Sequence, residues 1–384
     1  MRSSDRCQCQ TPGTTSDISV AIAFGSLTGM SLRDEARLPG SLGGAGWPST
    51  FRSSGRPIDS PPMVRPAVIL SAAILVGASV AASASPPIQF PRDHFGHPRA
   101  GIEWWYYSAL VHDASGAPYS VFFTMFSSSG GLIPVSQVVN LKTGALIGHS
   151  EGVGLGSPGT HMLDLSAAGA RLRYLVRSNV WTFSVNTPSF AVSLRQHPLK
   201  PYIRHGEGGL IHESAGVTSH YYSSTRMGSS GMLRMGTSTT PIRGQSWFDH
   251  QWGDNAADQE AVNWDWFSCR FDDNTELMLY QFLDPTTHQP LQRYRNGTYI
   301  SKTGRGLRVR HFTAKPGART LTDSGQTWPL DWTLKVSGPA LNESLSSLLP
   351  DQLVRNNILP TFWEGVAQAT GTKQGRCFVE LTYR

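Results

Sequence analysis

Glu103-Trp-Trp-Tyr-Tyr-Ser-Ala-Leu-Val111, then Asp113-Ala-Ser-Gly116, then Tyr119-Ser-Val-Phe-Phe-Thr-Met-Phe126 reads as a strand, a turn and a second strand. The flanking runs are rich in aromatic and β-branched residues, and Asp and Gly supply the turn chemistry. The same texture recurs outward. Trp181-Thr-Phe-Ser-Val185 and Phe190-Ala-Val-Ser-Leu194 alternate with period two around Asn186-Thr-Pro188. Trp264 to Phe271 and Glu276 to Phe282 flank Asp272-Asp-Asn-Thr275 as a hairpin. Thr298-Tyr-Ile300, Leu307 to Phe312, Trp332 to Val336 and Phe378 to Tyr383 complete the series. Short strands at this spacing predict an all-β sandwich or up-and-down barrel. One short turn or helix is expected over Leu345 to Asn356, and a polar boundary near 255–262.

Composition narrows the class. Of 384 residues, 16% are charged and Gly plus Pro number 64, which excludes a coiled coil and fits a turn-rich chain. Residues 85–384 hold 26 basic against 22 acidic side chains, which excludes a nucleic-acid footprint. Residues 1–62 show no periodicity and are expected to be disordered, or an over-extended start ahead of Met63. Met63-Val-Arg-Pro, an apolar run from Ala67 to Ala82 and Ala82-Ser-Ala84 have the parts of a secretory signal over 63–84. The expectation is a secreted or periplasmic protein with no stable membrane span in its mature chain. Cys269 and Cys377 would then remain, either as a pair or as two buried thiols.

Chemistry concentrates in Gly244-Gln-Ser-Trp-Phe-Asp-His-Gln-Trp-Gly253 and Asn263-Trp-Asp-Trp-Phe267, with Glu103-Trp104-Trp105-Tyr106 of similar character. An acid set among aromatic rings has its charged form disfavoured and can hold a proton near neutral pH. Delivered to a carbon–carbon double bond, that proton makes a carbocation, which aromatic faces stabilise. Water quenching the cation completes a hydration; without water, the same pocket permits isomerisation or cyclisation. A competing reading is structural, because successive strand residues face opposite ways and Trp clusters often form core. His94-x-x-His97 and His205…His212…His220 match no common metal spacing, so no metal and no cofactor are expected. Gly152 to Gly159 and Gly206 to Gly209 read as turns, and Gly244-Gln-Ser246 lacks the last glycine of a nucleophile elbow. Asn296-Gly-Thr298 and Asn342-Glu-Ser344 fit the glycosylation pattern, the first equally a hairpin turn.

A series of motifs resembles the AttH-like, CrtC-like family, whose members are labelled predicted secreted hydrolases and include the carotenoid hydratases. It runs from Phe90-Pro-Arg-Asp-His94 and Glu103-Trp-Trp-Tyr-Tyr107 through Asn140-Leu-Lys-Thr-Gly144, Gly206-Glu-Gly-Gly209, Ser219-His-Tyr-Tyr-Ser223 and Thr225-Arg226 to Ser246-Trp-Phe-Asp-His-Gln-Trp-Gly253. It continues with Trp264-Asp-Trp-Phe267, Glu276-Leu-Met-Leu-Tyr280, Trp328-Pro-Leu-Asp-Trp332, Phe362-Trp-Glu-Gly365 and Val379-Glu-Leu-Thr-Tyr383. The resemblance implies two lipocalin-like antiparallel β-barrels packed together, 88–261 and 262–384. It also implies that His250 and Trp252 match a catalytic His-x-Trp and Asp265 a downstream acid, with Asn263 where those enzymes carry Tyr.

The expected activity is acid-catalysed water addition to an unsaturated apolar terpenoid or lipid. Asp265 is the expected proton donor, with His250 and Asp249 placing water, Glu103 a second acid, and Trp104, Trp247, Trp252 and Tyr106 lining the pocket. The rival expectations are a lipocalin-like carrier of an apolar ligand and a hydrolase.

Overall fold

A computed structural model of the protein describes residues 86–253, 263–322 and 325–382, and residues 85–384 form one compact unit. The expectations for 1–62 and 63–84 lie outside the described residues. Among the described residues the fold is all-β, as expected, with lipocalin-like antiparallel sheets and two 3-10 turns, Arg92–His94 and Val176–Ser178.

The first sheet is built around the opening hairpin. Strands Ile102–Asp113 and Pro118–Ser128 pair antiparallel with Tyr107 opposite Phe123. On its other side Ile102–Asp113 pairs with the long strand Ser238–Gly253, which pairs with Val217–Met235. The sheet continues through Phe190–Pro198, Val180–Asn186 and Ala170–Leu175 to the edge strand Asp164–Ala167, and on the opposite flank through Gly131–Asn140 to Leu146–Glu151. It curls until its ends nearly meet. A Cβ on Gly152 would lie 2.2 Å from Ala168 Cβ and one on Gly154 2.7 Å from Ala167 Cβ, so only glycine permits the approach.

The second sheet centres on Asn263–Phe271, flanked by Glu276–Leu283 and Gly375–Leu381. Pro290–Ile300 extends one side. Phe362–Gly371, Leu341–Ser347, Asp331–Val336 and Phe312–Pro316 extend the other. Arg295 Nη1 donates to the Phe312 carbonyl at 2.9 Å, reaching from one flank to the other as this sheet curls too. Cys269 faces Cys377 across neighbouring strands and the two form a disulfide, which decides the alternative left open by their spacing.

Three local expectations are corrected. Leu345 begins no helix: Leu341, Glu343 and Leu345 are buried in alternation, so period-two burial extends the strand through Ser347. The run 307–312 breaks into Gly306–Arg308 and Phe312–Pro316. Asn296 is no hairpin turn; it sits buried in strand Pro290–Ile300 and donates Nδ2–H to the His212 carbonyl at 3.3 Å.

Alternation along the strands sorts the core into three layers. Trp105, Tyr107, Ala109 and Val111 face into the first curl, with Trp181, Tyr222 and Phe248. Phe267, Cys269 and Phe271 face into the second. Between the sheets lies a third layer, where Tyr106, Tyr221 and Trp247 meet Trp266, Tyr280 and Val366.

Candidate active site

The same alternation distributes the expected site residues over all three layers. Glu103, His250 and Trp252 point into the first curl. Tyr106, Trp247 and Asp249 point between the sheets, with half-buried Trp104 packed against that layer. Asp265 has the parity of Phe267 and Cys269, and accepts a hydrogen bond from Gln281 Nε2 at 2.7 Å. Asp265 therefore does not meet His250. Residue type and the family resemblance link the two, and the strand geometry puts them behind different walls.

In the first curl a polar chain replaces that pairing. Glu103, 2% exposed, receives His250 Nε2 at 2.7 Å, His97 Nδ1 at 2.7 Å and the His97 backbone N–H at 2.9 Å. Burial pushes the Glu103 carboxyl up, but its two histidine partners more than offset this and hold it below the usual value. Burial lowers His97, and Asp93 and Glu103 overcome it to raise the imidazole. Burial lowers His250, with Glu103 opposing in part, and takes His94 down to about 3.

An ionised carboxylate and a backbone carbonyl only accept, so His250 turns Nε2–H to Glu103 at 2.7 Å and Nδ1–H to the Asp93 carbonyl at 3.1 Å, with the Tyr222 hydroxyl 3.2 Å from the same Nδ1. The Tyr222 hydroxyl is also hydrogen-bonded to His94 Nδ1 at 2.7 Å. His97 stacks on Trp252 with centroids 3.8 Å apart, and Trp105 on His250 at 4.7 Å. These contacts fasten the segment around Arg92–His94 to the first sheet. His97, Glu103 and His250 also offer ligand atoms within 4.8 Å of one another, a spacing a metal ion could use in place of the shared protons. In the arrangement present, hydrogen bonds satisfy all three.

The layer between the sheets holds buried acids among aromatic rings, on partly different residues from those the sequence singles out. Asp249, 4% exposed, accepts from Trp247 Nε1 at 2.7 Å and from the Ser223 hydroxyl. Burial raises its carboxyl to about 7 against the pull of Ser223, Trp247 and Tyr221. Across the layer Glu364, 4% exposed, accepts from the Tyr106 hydroxyl at 2.6 Å. Burial, then the neighbouring Glu380 charge, raises Glu364 well above an ordinary carboxyl. Glu380 faces it across the strand pair and shares a side-chain hydrogen bond with it. Glu380, half-buried, accepts from Trp264 Nε1 at 2.7 Å and is raised to about 7 by burial. Trp266 Nε1 donates to Tyr221 at 3.0 Å and meets Tyr106 edge-on at 5.2 Å.

Glu364 and Glu380 were quoted only as parts of motifs. The signal was present: each is a lone acid in an apolar strand run, Trp363-Glu-Gly365 and Val379-Glu-Leu381.

The buried Asp249 yields a measurable consequence. A carboxyl raised from 3.8 to about 7 contributes stability fully present below 3.8 and lost as pH rises through 7. Both Trp247 and Ser223 bond Oδ1, which an asparagine retains as its carbonyl. Asp249→Asn is therefore expected to match wild type in urea midpoint near pH 4 and to exceed it by about 3–4 kcal/mol at pH 8.5. Equal stabilities at both pH values would refute the raised carboxyl.

A serine-hydrolase arrangement is not formed at the nearest serine. His205 Nε2 lies 2.7 Å from Ser223 Oγ, but the Ser223 hydroxyl donates to Asp249, and His205 Nδ1 bonds Thr298 Oγ1 at 2.8 Å instead of a carboxylate. Burial drops His205 to about 3.

The sequence profile of the AttH-like family matches residues 160–383. A kievitone hydratase of Fusarium solani subsp. phaseoli is 29% identical over 152 residues, 37% of this chain and 42% of that protein. The match thus spans about two fifths of that curated relative. The fold is shared with a Nitrosomonas europaea protein assigned as AttH, at TM-score 0.70 and 20% identity over 78% of this chain and 98% of that one. It is shared as well with the crystal structure of kievitone hydratase from Nectria haematococca, at TM-score 0.64 and 21% identity over 79% and 94%.

Proposed function

The chain belongs to the hydratase-related AttH-like family, and from that premise we propose that it adds water to a carbon–carbon double bond of an apolar, unsaturated substrate, with Glu364 as the acid. The observation that carries this reading is Glu364 itself: a buried carboxyl held protonated, with Tyr106 bonding one oxygen and the Glu380 carboxyl facing it across the strand pair.

Proton transfer from Glu364 to one alkene carbon leaves a carbocation on the other and a carboxylate on Glu364. The faces of Trp247, Trp264, Trp266 and Tyr106 suit the cation. Water attacks that carbon and its proton passes to Glu380, whose value near 7 leaves a share of it ionised and able to accept. Transfer from Glu380 to Glu364 restores the acid, so substrate and one water are the only net reactants. Asp249, near 7 as well, places the attacking water from the opposite wall.

A carrier of this fold needs no carboxyl kept protonated against its ordinary value, and the three raised acids favour catalysis over carriage. Export is part of the proposal. The basic, apolar and Ala-x-Ala features of 63–84 support it, and the Cys269–Cys377 bond suits an oxidising compartment.

The test is incubation of the purified chain with a mixed lipid and terpenoid extract in oxygen-18 water, followed by mass spectrometry. A product heavier by one labelled water supports hydration. A compound retained on the protein and returned unchanged would sink it in favour of a carrier.

A further inference from the structure

Beside Leu110 and Gln245 the two sheets part to leave a cleft of about 630 Å³. Four arginines line it, Arg226, Arg243, Arg270 and Arg376, against one carboxylate, Asp272. Arg226 is committed elsewhere: Nε donates to Glu276 at 2.6 Å, Nη1 to Gln245 at 2.9 Å and Nη2 to the Phe271 carbonyl at 2.9 Å. Glu276 is in turn saturated, taking Lys200 Nζ at 2.8 and 2.9 Å on its two oxygens.

Arg270 stands apart. It is 7% exposed, and its Nη1 is buried with no partner among the described residues. Its cross-strand neighbour Glu276 is already bonded to Lys200 and Arg226; a guanidinium kept out of water with an N–H group unbonded is costly, and arginine cannot shed its proton to escape the cost. A fold that retains such a group beside an open cleft, with two exposed arginines at the rim, has left an anion's place to be filled from outside.

We propose that this cleft binds a small molecule through a multiply charged oxyanion, a phosphate or paired carboxylates, which Arg270 grips and Arg243 and Arg376 neutralise. The guanidinium fork matches the oxygen pairs of both groups. The volume falls within the roughly 300–1,000 Å³ of small-molecule sites. Burial, then Arg226, depresses Arg270 only to about 10, so it stays cationic at neutral pH. The site does not rest on the hydration chemistry; its ligand can be a substrate's charged end or a separate effector.

The experiment is titration calorimetry of the full chain with inorganic phosphate, pyrophosphate and citrate, at low and at high salt. Saturable binding of pyrophosphate or phosphate identifies a phosphate site, and preference for citrate a carboxylate site. Either is expected to weaken with salt. Arg270→Met is expected to weaken binding at least about tenfold while leaving the melting temperature unchanged or higher, because it removes a buried charge whose Nη1 is unbonded. A melting temperature lowered by that change would make Arg270 a structural residue and overturn the proposal. The rim pair Arg243→Ala and Arg376→Ala, remote from the core, must weaken binding too. No saturable binding of any probe, or equal binding by every variant, would also end it.

Discussion

Replacing Glu364 by glutamine is expected to lower water addition about 10²- to 10⁴-fold, the range a positioned general acid supplies. Glutamine keeps the volume and can still accept the Tyr106 hydrogen bond, so the change removes the transferable proton and little else. The loss should appear in kcat, with substrate binding largely preserved, because the proton moves only on the way to the transition state. Wild-type activity should rise on an acid limb near 7, where Glu380 becomes ionised, and fall on an alkaline limb as Glu364 surrenders its proton. Glu380→Gln should abolish the acid limb. Asp265→Asn serves as the contrast and should retain activity within about twofold, since that carboxyl lies in the second curl with Gln281. Loss with Asp265→Asn and retention with Glu364→Gln would reverse the assignment.

What the residues disclosed, and what they withheld, follows from how strands report burial. The hairpin from Glu103 to Phe126 was legible because β-branched and aromatic residues fill both of its strands. Strand Val217–Met235 carries no such run: Ser223, Ser224, Thr225 and Gly228 are small or polar, yet Ser223 to Thr225 are wholly buried. That strand runs down the middle of the first sheet, and its small hydroxyls serve Asp249 and Ser246. Asp249, Trp247 and Tyr106 stand out in the sequence because acid and aromatics sit side by side in the chain. Their partners Glu364 and Glu380 come from strands more than 100 residues away, and only the packing of one sheet on the other brings them close. Period two alone shows that neighbours such as Asp249 and His250 part company. It does not show which wall faces which layer, and so Asp265 and His250 were joined when the fold separates them.

Glu276→Gln is expected to destabilise the protein by about 3–5 kcal/mol, the cost of stripping one partner from a buried ionic cluster. Glu276 is fully buried at the start of strand Glu276–Leu283. It receives Lys200 and Arg226, whose side chains are 4% and 11% exposed and which belong to the first sheet's half of the chain. One carboxylate thus compensates two buried cations and clamps the sheets together. Against a total stability of about 5–15 kcal/mol, its loss should move the urea midpoint far to lower denaturant. Lys200→Met added to Glu276→Gln should recover part of the loss, since it removes one of the stranded charges; strictly additive effects would show that the two do not interact. The same variant separates instability from recognition in the neighbouring cleft. Glu276 lends negative potential to Arg270, so its neutralisation should tighten pyrophosphate binding even as the fold weakens. Arg270→Met is expected to do the opposite, loosening binding without weakening the fold. If both variants lost stability and binding together, the arginine cleft would be only a consequence of how the sheets are joined.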